Sequence, residues 1–141
     1  MNIEIIRLSP AAKIPKRAIS NDAGLDLFAS KKIAILPKSR SVIKTGIAIH
    51  LPKKTVGLIW DRSSVALGKG LTTLGGVIDA GYQGEIGVIV YNTGNKPITV
   101  KKHEKIAQLI IQDFLPVRLK TVKKFSKKSA RGKKSFGSSG K

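Results

Sequence analysis

Ile86-Gly87-Val88-Ile89-Val90-Tyr91, followed at once by Asn92-Thr93-Gly94-Asn95, decides the architecture of this chain. Alternation sends Ile86, Val88 and Val90 to one face and Ile89 and Tyr91 to the other, the period of two expected of a strand, and the Asn-Thr-Gly-Asn stretch is a turn into the next one. The same texture runs outward in both directions. Bursts at Ile3–Leu8, Ile33–Leu36, Val42–Ile49, Val56–Trp60, Ile98–Val100 and Ile106–Ile111 are rich in Val and Ile and are broken by Gly, Pro, Asn and Lys, a composition that favours short strands. No window sustains a 3.6-residue period, and only Ser63–Lys69 has room for a helix, a short one. An all-β sandwich or barrel of about ten strands follows, filling residues 1–125.

A length of 141 residues fits one domain better than two. Hydrophobic residues at 41% and charged residues at 25% match a globular protein. No apolar run exceeds six residues, whereas a spanning helix needs about 20, so no membrane segment is expected. Met1-Asn2-Ile3-Glu4 does not read as a secretory signal. The lack of cysteine excludes disulfides, thiolate metal sites and cysteine nucleophiles, and the expected compartment is the cytoplasm.

Charge is the unusual feature. Twenty-seven Lys and Arg against eight Asp and Glu give a net +19, a field that attracts polyanions such as nucleic acid or phosphorylated small molecules. Ten of those cations and no acid lie in residues 116–141. From Ser126 the chain is rich in Ser, Gly and Lys with Phe136 as its only aromatic, too little apolar surface to fold alone. Residues 126–141 are expected to form a mobile basic arm.

Among the few acids, Asp26 in Ala23-Gly24-Leu25-Asp26-Leu27 and Asp79 in Gly75-Gly76-Val77-Ile78-Asp79-Ala80-Gly81-Tyr82-Gln83-Gly84-Glu85 are expected in glycine-flanked turns, where the backbone can approach a ligand closely. Asp61-Arg62-Ser63-Ser64 puts an arginine and two hydroxyls at the possible helix start, a natural place for an anion. Gly68-Lys69 and Gly132-Lys133-Lys134-Ser135 fail as phosphate loops because Ser63 and Lys127 stand where the pattern needs glycine. His50 and His103 lack companions at metal-ligand spacing.

In order, five segments resemble the homotrimeric dUTPases: Ala23–Leu27; Asp61–Ser64; Gly76–Ile86; Lys105-Ile106-Ala107-Gln108-Leu109; and Arg131-Gly132 with Phe136–Gly140. The resemblance implies a jelly-roll-like distorted β barrel in a threefold homotrimer with sites at subunit interfaces. It implies magnesium-dependent hydrolysis of dUTP to dUMP and pyrophosphate, which limits uracil in DNA and supplies dUMP for dTMP synthesis. By the same likeness Asp79 orients the attacking water and touches the sugar 3′-hydroxyl, while Tyr82 packs on deoxyribose and refuses a 2′-hydroxyl. The backbone from Gly76 through Ile78 to Gly84 reads uracil. Ser63 donates to the α,β-phosphate bridge, Arg62 and Ser64 share the phosphate segment, and Gln108 touches the distal phosphates. Asp26 acts through magnesium-bound water. From the arm, Phe136 stacks on uracil while Arg131, Ser138 and Ser139, with Gly137 between, close over the γ-phosphate. The chain departs from the family pattern at Lys105, commonly arginine, at Asp61, commonly glycine and here a carboxylate near a phosphate site, and at Lys134 and Ser135, commonly glycines.

Two other readings remain open on sequence. A dCTP deaminase, alone or bifunctional, would share the fold and use Glu85 as its proton shuttle. A basic nucleic-acid-binding β module would exploit the +19 charge, although 5% aromatic content offers few stacking platforms, and the tail cations alone would bind nucleic acid weakly and without sequence preference.

Overall fold

The computed structural model describes residues 2–129 and Gly132. Within them run eleven strands and one helix: β1 Glu4–Arg7, β2 Leu25–Phe28, β3 Ile33–Ile35, β4 Arg40–Lys44, β5 Ile47–His50, β6 Thr55–Trp60, α1 Ser63–Lys69, β7 Leu71–Leu74, β8 Val77–Asp79, β9 Gly87–Asn92, β10 Ile98–Val100 and β11 Lys105–Asp113. All pairings are antiparallel, in sheets ordered β2-β11-β6-β8, β4-β9-β7, β1-β5 and β10-β3. The all-β expectation holds. Among the described residues no helix is long and apolar enough to cross a membrane.

Inward side chains of these sheets form one core containing Leu27, Ile35, Ile43, Ile47, Leu51, Ile86, Val88, Val90, Val100 and Leu109. Each contributes roughly 1.5–3 kcal/mol by leaving water. The β9 alternation places Val88 and Val90 inside, continuing from buried Ile86, and leaves Ile89 exposed. Its turn is built by buried Asn92, whose Nδ2 donates to the carbonyls of Ile35 (3.1 Å) and Lys96 (2.9 Å) while Oδ1 accepts from Gly94 N (2.9 Å). A buried amide with all three bonds made ties β3, β9 and the turn into one unit.

The Val42–Ile49 burst is two strands, not one. The break falls at Thr45-Gly46, where Gly46 has φ +72° and a side chain would meet Ala12 Cβ at 3.0 Å. Helix α1 spans the expected residues and stops at Gly70, which takes the left-handed conformation and donates its N–H to Ala66. Beyond β11, residues 114–129 hold no regular element, and Phe114, Leu115, Val117, Leu119, Val122 and Phe125 are all exposed.

Candidate active site

Asp26 lies inside β2 and Asp79 ends β8, so both belong to strands rather than to the turns expected from their glycines. The glycines act nearby instead. Gly24 leaves room for the Gln108 side chain, since a Cβ there would lie 2.2 Å from Gln108 Oε1. Gly76, at φ +92°, lets the chain enter β8 against the Ile59 carbonyl, 2.8 Å from where a Cβ would be.

Cross-strand register fixes which side chains share a face. Gln108 pairs with Asp26 on one side and with Trp60 on the other, while Leu58 pairs with Val77 and Val56 with Asp79. Side chains two apart on a strand point the same way, so Asp26, Gln108, Trp60, Leu58, Val77, Val56 and Asp79 all stand on the side of the β2-β11-β6-β8 sheet away from the core.

At one end of that face, Asp26 is 5% exposed and held between two cations. Arg62 Nε donates to Oδ1 at 2.9 Å, and Lys105 Nζ forms an ion pair with buried Oδ2 at 2.7 Å. One carboxylate against two cations leaves the cluster with a net positive charge, suited to an anion. Gln108 Nε2 donates to the Asp61 carbonyl at 2.8 Å, joining β11 to the loop that carries Arg62. Ser63 and Ser64 are exposed at the first positions of α1, whose N-cap is Arg62.

Asp61 corrects one expectation, because its carboxylate does not face an anion site. It turns onto β7, accepting from Thr72 Oγ1 (2.9 Å) and Thr73 N (2.6 Å). Burial alone would raise its pKa, but the hydrogen bonds from Thr73 and Thr72 outweigh burial and hold the carboxyl below its ordinary value. Nothing in the run Leu71-Thr72-Thr73-Leu74 marked those threonines as partners; their alternation is too short to stand out as a strand. Lys105 was legible only through its motif, since its partner lies 79 positions away in sequence.

At the other end, exposed Asp79 sits beside a cavity of about 170 Å³ lined by Val77, Ile78, Asp79, Tyr82, Glu85 and Gly87. A turn closed by Tyr82 N donating to the Asp79 carbonyl (3.0 Å) places the tyrosine ring, and Tyr82 Oη donates to the Glu85 carbonyl at 2.8 Å. Gly84 makes space for that ring: a Cβ there would fall 2.6 Å from Tyr82 Oη. Glu85 itself is engaged, accepting from Gly46 N (2.9 Å) and pairing with Lys44 (3.2 Å), so it bolts two loops together and is a poor proton shuttle. Arg131, Phe136, Gly137, Ser138 and Ser139 lie outside the described residues.

The two ends do not meet within one chain. Gln108 and Asp79 stand opposite Trp60 and Val56 on either side of β6, which at about 3.4 Å per residue and about 4.8 Å between strands sets their backbones roughly 17 Å apart.

The dUTPase family model matches residues 11–140. The chain belongs to the dUTPase family. Curated relatives of this dUTPase span its length: the deoxyuridine 5′-triphosphate nucleotidohydrolase of Clostridium tetani is 46% identical over 141 residues, covering 99% of this chain and 97% of its own. That of Alkaliphilus metalliredigens is 43% identical with the same coverage. Among solved structures, the dUTPase of Staphylococcus bacteriophage 80alpha with dUpNHpp superposes at a TM-score of 0.93 and 32% identity, covering 99% of this chain and 98% of its own. A dUTPase of Staphylococcus aureus phage phi11, in a structure described for its structural Mg(II) ion, gives 0.85 at 27% identity over 90% of this chain and all of its own. The dUTPase fold expected from the five motifs therefore holds for the whole barrel.

Proposed function

We propose that this dUTPase hydrolyses dUTP to dUMP and pyrophosphate by water attack on the α-phosphate, at sites completed between copies of a homotrimer. Family membership with full-length relatives carries the reaction. The disposition of the two clusters on one sheet face supports the shared site, since an α-phosphate held near Ser63 and Gln108 is out of reach of the same chain's Asp79.

Each residue's proposed role fits its setting. Asp79 is exposed at a strand end, free to hold a water in line with phosphorus. Its contribution is orientation of the nucleophile. Tyr82, braced at Oη, presents its ring as a wall against deoxyribose that leaves no space for a 2′-hydroxyl, and the backbone from Gly76 through Ile78 reads the uracil edge. Ser63, with Ser64 beside it, donates to the bridging oxygens, while Gln108 and Arg62 meet the remaining phosphate charge. From the arm, Arg131, Phe136, Gly137, Ser138 and Ser139 would cover the ligand.

Asp26, alone and already engaged by two cations, is no chelating set. With Oδ1 against Arg62 and buried Oδ2 against Lys105, Asp26 would reach a magnesium ion carried on the triphosphate only through the ion's hydration water. When bound, magnesium would neutralise charge on the phosphate oxygens.

Association is supported by uncovered apolar surface. Trp60 is 57% and Val77 63% exposed in the middle of the sheet face, and the segment from Phe114 to Phe125 offers more than its own chain covers. A groove of about 480 Å³ lined by Ile3, Ile5, Leu25, Ile49, Leu109 and Ile111 could seat such a segment from a neighbouring copy. A trimer also closes by cyclic symmetry.

Incubation of the purified protein with dUTP, dCTP, UTP and dTTP in magnesium, with products identified, tests the reading. Conversion of dUTP alone to dUMP and pyrophosphate supports it; dUDP with inorganic phosphate, or ammonia from dCTP, refutes it.

A further inference from the structure

The ladder between β3 and β10 ends at the pair Ile33↔Val100, so the next residues outward, Lys32 and Lys101, face one another. The turns they begin are stitched together by Ala29 N donating to Glu104 O (3.0 Å) and His103 N donating to Ala29 O (2.7 Å). Lys31 and Lys102 extend the pair on either side, and all four lysines are exposed. Lys13 joins this end: the His103 ring lies 2.6 Å from the Ala11 carbonyl, and Lys13 Nζ stands 5.4 Å over the Phe28 ring.

Glu104 is the one acid in these turns, and it is used up locally. It pairs with Lys69 at the end of α1 and accepts from the Lys101 backbone N–H at 2.8 Å. Burial alone would raise its pKa; the Lys69 and Lys101 contacts outweigh burial and keep it ionised below the ordinary carboxylate value. Lys13, Lys31, Lys32, Lys101 and Lys102 make no ion pair among the described residues. Like charges directly opposite on neighbouring strands repel, and this repulsion is relieved when a polyanion arrives and sheds its counterions.

We propose that the barrel end formed by the 29–32 and 101–104 turns is a docking surface for the phosphate backbone of nucleic acid. Five cations spread over two turns and the segment at Lys13 suit a line of phosphates better than one compact triphosphate. No large apolar side chain is exposed in residues 29–32 or 98–105, so the surface has nothing to insert into a bilayer and no platform for base stacking. Binding is therefore to backbone and indifferent to sequence.

The test uses the full chain and a fluorescent mixed-sequence DNA duplex of about 20 base pairs, titrated at several salt concentrations. Lys31→Gln, Lys32→Gln, Lys101→Gln and Lys102→Gln are combined in one variant, beside a second variant with the tail lysines 123, 124, 127 and 128 replaced by Gln. At about 0.9 per phosphate contact, the barrel-end variant should lose about three to four from the slope of log affinity against log salt, and at least tenfold in affinity at low salt. Its melting temperature and dUTP turnover should match the parent. Unchanged duplex affinity in that variant, with the loss confined to the tail variant, would overturn the proposal. So would an unchanged duplex affinity accompanied by loss of binding to phosphatidylserine vesicles, or by a salt-sensitive fall in kcat/KM for dUTP, which would assign the surface to lipid or to substrate steering.

Discussion

Gln108 lies across Gly24 so closely that a Cβ on the glycine would stand 2.2 Å from its Oε1. The flexible end of a side chain can move aside, so Gly24→Ala should fold with a small change in melting temperature. Its Gln108 would swing off the Asp61 carbonyl and the phosphate face. The expected result is a rise in KM for dUTP of about tenfold, read by steady-state kinetics, with unaltered KM removing Gln108 from substrate contact.

Asp79→Asn keeps the shape of the β8 end but loses the charge proposed to align water. We expect kcat to fall by at least about a hundredfold while a non-hydrolysable dUTP analogue binds as before, measured by calorimetry. Near-normal turnover would dismiss the orienting role.

The hydrogen bonds on Asp61 favour its ionised form, so its folded pKa lies below its unfolded one and its contribution to stability is full above the unfolded value, near 4. That contribution drains away as pH falls through the folded pKa. Thr72→Val should therefore lower stability at pH 7 and narrow the loss between pH 7 and pH 3 relative to the parent, in urea melts at both pH values. Parallel pH profiles would show that Asp61 does not titrate with folding.

Trp60 is mostly solvent-exposed in a single chain, so Trp60→Lys should leave the monomer folded. If this face meets another copy, the substitution should shift light scattering from trimer toward monomer and lower activity in step. A trimer intact at micromolar concentration would place the interface elsewhere.

How much of this was readable in the residues follows from range. The β9 alternation and the limits of α1 are local, and the sequence carries them whole. Leu25–Phe28 hid as a strand because Asp26 interrupts its apolar run, and the carboxylate is tolerable there only through Arg62 and Lys105, partners from distant segments. Five short motifs named the candidate residues, but the grouping of Asp26, Gln108 and Asp79 into two ends of a sheet face depends on β6 lying between β11 and β8, which no stretch of sequence announces. The Asp61 carboxylate was misplaced for the same reason: β7 returns to meet it after the helix.

Two defective copies should make a working enzyme. Because the Asp79 end and the Gln108 end sit roughly 17 Å apart on one chain, each proposed site draws them from different subunits. Asp79→Asn chains mixed and reassembled with Gln108→Ala chains would then contain some sites with both halves intact, giving more activity at low dUTP than the two parents measured separately. Such pairs would complement one another as alleles, although each carries its lesion in the same gene product.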